Sequence, residues 1–235
     1  MLQAAYYPRD GGNFQGHSKD ASRFSVNPVN ADDYVVNGTN TQEKDSVVLT
    51  AAHTFDHVLD QDNLSSQIGA SVWYSTIQNR RSNQDGDRKV YAVFNHTNYK
   101  QWNLQLLAGY QNIDNADLEH PNHLTFGAFD SSFNVATKGQ IYSAEVSYLF
   151  PQEFGDFNQF RPYLNYSAYH KTAQGYQDSQ RIIAGLSFNY HKLTVNSEML
   201  IGKHDPYLGD REGLATGGSN DGWNKRLFVS FAYYF

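Results

Sequence analysis

The chain is predicted to be all-β: an antiparallel up-and-down sheet of about ten strands, closed as a transmembrane β-barrel. Three observations lead there. Segments of roughly ten residues carry apolar side chains at every second position, and successive strand residues point to opposite faces. Aromatic residues make up 15% of the chain, with 17 Tyr and 15 Phe, although only 40% of it is hydrophobic and mean hydropathy is −0.64. That balance suits aromatic bands around a wet interior better than a dry core. The longer connections also fall on one side of the predicted sheet, which a sandwich with Greek-key links has no reason to do.

The strands follow in order. Met1–Pro8 reads as a short one. Residues 9–43 are rich in Asn, Asp, Gly and Ser, with turn signals at 10–12 and 37–38; they predict a long loop with a short paired segment near 34–36. Residues 46–55 place Val47, Leu49, Ala51 and Phe55 on one face, broken by His53. Residues 66–78 set Ile68, Ala70, Val72 and Tyr74 against Gln67, Gly69, Ser71 and Ser75. The polar stretch 79–87 predicts a loop. In 88–96 the run Val90–Phe94 leaves the facing open. After a tight connection at 98–100, residues 101–111 alternate best, with Trp102, Leu104, Leu106, Ala108 and Tyr110 on one face.

Residues 112–138 predict a long polar loop, with 124–129 either a strand or an apolar part of that loop. Further strands follow at 140–150, 161–171, 180–190 and 192–202. A Gly- and Asp-rich loop spans 203–223, and a last strand carries Leu227, Val229, Phe231, Tyr233 and Phe235 on one face. The whole chain, 1–235, is read as a single domain.

Composition narrows the function. No run approaches the roughly 18 apolar residues of a membrane helix, which does not bear on strands. The net charge of −6 implies no nucleic-acid surface. The absence of cysteine rules out disulfides, thiolate metal sites and cysteine nucleophiles. No Gly-x-Ser-x-Gly and no His-Glu-x-x-His occurs, and His170, His191 and His204 near strand ends read as interfacial or loop residues. No catalytic residue, metal or cofactor is assigned. The acids at 114–119 lack the spacing of a calcium loop.

The polar faces carry charges of both signs, which are costly in a dry core but sustainable in a water-filled lumen. The candidate channel-lining residues are Glu145, Arg161, Asn165, Lys171, Arg181, Glu198 and Arg226. If the arginines line a path, replacing Arg161, Arg181 and Arg226 by Ala shifts permeability toward cations. A solvated sheet face is the plainer reading of the same pattern.

Leu227–Phe235, an alternating strand ending in Phe, resembles the C-terminal signal of Gram-negative outer-membrane β-barrel proteins. Across 140–235, the stretches 160–167, 179–187 and 198–202 are similar to the last third of a Gram-negative porin of the general diffusion or phosphate-selective groups. That resemblance implies the bacterial outer membrane, with its lipids and lipopolysaccharide as surroundings. It also implies insertion by the barrel-assembly machinery through Leu227–Phe235, a homotrimer, and passive diffusion of small hydrophilic solutes without a cofactor. Porins of 16–18 strands make about ten strands the C-terminal portion of a larger barrel. A removed leader before Met1 is the other account of why no signal segment is seen. The loop that such porins fold into the pore is sought at 112–138, with Asp114, Asp117 and Glu119 as constriction candidates. The alternative function is a small plugged structural or adhesive barrel acting through its outer loops.

Overall fold

The computed structural model describes residues 1–10, 27–28, 35–59, 62–128, 131–218 and 220–235. Ten strands build the main sheet: β1 (Leu2–Asp10), β3 (Thr41–Leu59), β4 (Asp62–Asn79), β5 (Gln84–Tyr99), β6 (Trp102–Ile113), β9 (Lys138–Tyr148), β10 (Phe157–Lys171), β11 (Ser179–Tyr190), β12 (Leu193–Lys203) and β13 (Asn224–Tyr233). They pair in that order, every neighbour antiparallel. Among the described residues β1 and β13 form the two margins and do not pair with each other. The three short strands β2 (Asn27–Pro28), β7 (His123–Ala128) and β8 (Ser131–Ala136) make a second sheet.

Alternation fixes two unlike faces. Val47, Leu49, Ile68, Val72, Val93, Leu104, Leu106, Val146, Leu164, Leu227 and Val229 share one face and stay exposed. Aromatic side chains line both margins of that face. Tyr74, Tyr91, Tyr110, Tyr142 and Tyr166 lie toward one end of the strands; Tyr99, Trp102, Tyr148, Tyr190 and Tyr233 lie toward the other. Register aligns these rows: Tyr91 pairs with Tyr110, and the Trp102 and Tyr148 rings meet at 4.8 Å. From Trp102 to Tyr110 the strand covers roughly 27 Å at about 3.4 Å per residue.

The opposite face is polar along most of its length. In β5 the facing that the sequence left open is resolved: Tyr91 and Val93 are exposed on the apolar face, and Phe94 turns to the polar face. There its ring covers Gly69, where a Cβ would sit 2.3 Å from the ring. The Tyr163 ring covers Gly185 in the same way, so glycine on one strand seats an aromatic from the next.

The smaller sheet docks on the polar face at the end marked by Tyr74 and Tyr110. Leu124, Phe126 and Phe133 pack on Ile77 and Ile113 in a buried cluster. Ile77 and Ile113 occupy polar-face positions of β4 and β6, so these apolar residues mark where the sheet is covered. The Thr39 and Thr125 side chains accept from each other's backbone N–H at 2.8 and 2.9 Å. Ile113 N donates to Thr137 O at 2.9 Å, and Ala136 N to Leu214 O at 2.8 Å. Segments 35–40, 114–128, 131–137 and 204–217 thereby form one cap, held to the wall by Tyr169, whose hydroxyl donates to Ala136 O at 2.6 Å.

Three expectations are corrected or resolved. Of the paired segment expected near 34–36, Tyr34 lies outside the described residues and 35–37 is a bend and turn; among the described residues of this stretch the short strand is Asn27–Pro28. The loop expected at 79–87 shrinks to a turn at 80–83, because the β4–β5 ladder runs out to Asn79 and Gln84. Residues 123–128 are a strand, but one paired with β8 and β2, so it leaves the up-and-down order of the main sheet intact.

Candidate functional site

The polar face of β6 and β9–β12 frames an open groove of about 480 Å³. Five of the seven residues expected to line a channel border it: Glu145, Arg161, Asn165, Arg181 and Glu198. Their meeting follows from register. Glu145 pairs with Asn165, Arg161 with Ser187 and Ser167 with Arg181, and Gly185 with Glu198. Asn165 Nδ2 donates to Glu145 Oε2 at 3.2 Å. The Tyr163 hydroxyl, seated over Gly185, donates to Glu198. Asn103 and Gln105 extend the floor, with Gln105 Nε2 donating to Asn103 Oδ1 at 3.1 Å. Tyr163, Asn103 and Gln105 were visible in the alternation as polar-face residues, but nothing in the sequence ranks them above their neighbours.

The other two expected lining residues lie elsewhere. Lys171 is buried at the cap, its Nζ donating to the carbonyl oxygens of Gln177 and Gly213. Arg226 is exposed on β13 with its guanidinium 5.8 Å over the Phe228 ring. Arg181 borders the groove, yet its charge is engaged: Nε and Nη2 meet the Asp205 carboxylate at 2.5 and 2.6 Å. Its guanidinium also lies 4.8 Å over the Tyr207 ring. Asp205 is buried and also caps a short 3-10 turn, Pro206–Leu208, by accepting from Tyr207 N at 2.9 Å. Next to it His204 is buried between Asp210 and Asp221, at 3.4 and 3.2 Å.

Replacing Arg181 by Ala therefore leaves a buried carboxylate unpaired, and the expected loss is about 3 kcal/mol, the lower end of the range for breaking such a pair. Denaturant titration of R181A beside R181A/D205N measures it. Recovery of stability in the double variant is expected, and equal losses in both would contradict the pairing.

The three acids expected to narrow a pore do other work. Asp117 Oδ1 accepts from the N–H groups of Glu119 and His120, both at 3.0 Å. Asp114 Oδ1 accepts from Ala116 N at 3.0 Å. Glu119 is exposed and meets Arg81 at 3.4 Å. They shape the 114–120 turn and tie it to the β4–β5 turn. Burial works against the Asp117 charge, but the N–H groups of His120 and Glu119, then Asn79 and Arg81, outweigh it and hold the carboxyl below its ordinary 3.8. Stability from this group is complete above that value and is lost as pH falls through the lowered one. Protection of the cap amides, taken relative to their intrinsic exchange at each pH, is thus expected to hold down to about pH 4 and to fall below it. Protection lost already between neutral pH and pH 5 would contradict the assignment.

A second buried pair, Glu43 with Arg88 at 3.4 Å, anchors the cap. Ser75 donates to Glu43 at 2.5 Å, and the Arg88 guanidinium lies 4.4 Å over Trp73 and 5.3 Å over Phe126. Neither residue was singled out in the sequence. Among the described residues no group of three His, Asp or Glu is placed to hold a metal ion. The arrangement offers hydrogen-bonding groups and a few charges along a groove, which can hold or pass a polar solute.

No family model matches the chain, and comparisons with curated proteins and with solved structures find no match.

Proposed function

We propose that the chain forms the wall of an outer-membrane β-barrel through which small hydrophilic solutes diffuse. One observation carries this: a ten-stranded antiparallel sheet with one continuous exposed apolar face, edged by aromatic rows, backs a polar groove. In water such a face would be an uncovered apolar patch far beyond what a soluble chain tolerates. In a bilayer it is the lipid contact, with aromatics at the two interfaces and a polar lumen behind. In lipid an open edge leaves backbone groups unsatisfied, so β1 and β13 pair with each other or with further strands.

The cap supports a second reading, a plugged barrel acting through its outer loops, because it is built into the polar face at one end. Reconstitution of the full protein in planar lipid bilayers separates the two. Stepwise ion conductance is expected, and a folded protein closed at every voltage would leave only the plugged barrel.

A further inference from the structure

A cleft of about 310 Å³ lies between the cap and the wall. Val135, Tyr207 and Leu214 line it from the cap, and Ile141 and Tyr169 line it from β9 and β10. Ile141 pairs with Gly109 and with Tyr169, and by alternation it shares the polar face with Ser143 and Glu145. It is thus a third isoleucine at a polar-face position. Ile77 and Ile113 are buried under the cap, whereas Ile141 stays half-buried at the cleft.

Most polar side chains along this cleft are engaged by the protein itself. Gln111 Nε2 donates to Ala136 O at 3.2 Å, Ser179 Oγ to Gly213 O at 2.8 Å, and the Tyr169 hydroxyl to Ala136 O. Arg181 and Asp205 neutralise each other, and His204 stands between Asp210 and Asp221. An anion needs a charged donor that is not already paired. A polyol would lose water from its hydroxyl groups against Val135, Ile141 and Leu214. A neutral apolar molecule meets neither cost and gains by leaving water. An apolar cavity of about 150 Å³ takes benzene, so a space about twice as large suits two fused rings.

From this we infer that the cleft binds a neutral, apolar molecule of about two fused rings, which bridges cap and wall and holds the cap in place. The assignment rests on the packing of the cap and not on whether the wall conducts. The test uses the full protein refolded in deuterated detergent, with indole as the probe and glucose as its polar counterpart. Nuclear Overhauser contacts are expected between indole and the methyl groups of Ile141 and Leu214, and none from glucose. The Ile113 N–H bonds Thr137 O across from wall to cap, so its exchange reports release of the cap. A ligand of the closed form alone lowers opening by the factor 1 + [L]/Kd. Indole at ten times its half-saturating concentration is therefore expected to slow exchange at Ile113 about tenfold. Ile141→Trp fills the cleft from the wall and Leu214→Trp from the cap. Each is expected to abolish the slowing, and the pair guards against one variant misfolding. Absence of contacts to these methyl groups, glucose acting as indole does, or slowing that survives in both tryptophan variants overturns the inference. Conductance in planar bilayers bears on the channel reading alone, so the two readings fail separately.

Discussion

Arginine in place of Leu106 is expected to cost the folded chain roughly 2–4 kcal/mol in lipid, the range for a basic residue near the middle of a barrel's apolar band. Leu106 sits on β6 midway between Trp102 and Tyr110, 42% exposed, with Asn95 and Ala144 as its strand partners. In water, a partly exposed leucine of this kind tolerates a surface substitution within about 0.5 kcal/mol. The size of the effect therefore reports the surroundings of the face. Gln105, one residue away and on the polar face, is the internal control, and Gln105→Arg is expected to be close to neutral. Urea titrations of both variants refolded into phospholipid vesicles make the comparison. Equal stability of the two would place Leu106 outside lipid.

Phe126→Ala is expected to release the cap. Phe126 is 2% exposed and packs with Ile77, Ile113, Leu124 and Phe133. Truncating a buried phenylalanine costs about 3–5 kcal/mol, and here the Arg88 guanidinium also loses the ring 5.3 Å from it. The cap covers only one end of the sheet, so the loss is local. Amide protection is expected to fall at Thr39 and Thr125, whose N–H groups bond across the cap, and to persist along β9–β12. Single-channel conductance is expected to rise. Protection lost evenly through both sheets would show that cap and wall unfold as one unit.

The main sheet was largely legible because its physics is local. A side-chain period of two over 101–111 or 180–190 states both the strand and its facing. Strand ends were less legible. β3 and β5 run into Thr41–Asp45 and Gln84–Asp87, where polar residues end the apolar alternation while the hydrogen-bond ladder continues. In β5 the run Val90–Phe94 hid its facing, because Phe94 belongs to the polar face and is accommodated by Gly69 on the next strand.

The groove was legible as a set of polar-face residues, but the state of its charges was not. Arg161 and Arg181 look alike in sequence. Only Arg181 meets Asp205, 24 residues further on, and this pairing was invisible to alternation. It also changes what Arg181 is expected to do: with its charge engaged by Asp205, Arg181→Ala acts chiefly on stability. Apolar Ile77 and Ile113 at polar-face positions were the one sequence signal of the cap. Asp114, Asp117 and Glu119 drew attention by their charge, yet they serve backbone and turn contacts within it.

The central claim is that the apolar face meets lipid and the polar face meets water. The chain has no cysteine, so single cysteines at 103–108 can carry a nitroxide label one position at a time in the vesicle-bound protein. Collision with oxygen is predicted to peak at 104, 106 and 108, and collision with a water-soluble nickel chelate at 103, 105 and 107. Free access of the chelate to every position, or the same mobility and access along the whole strand, would contradict the account.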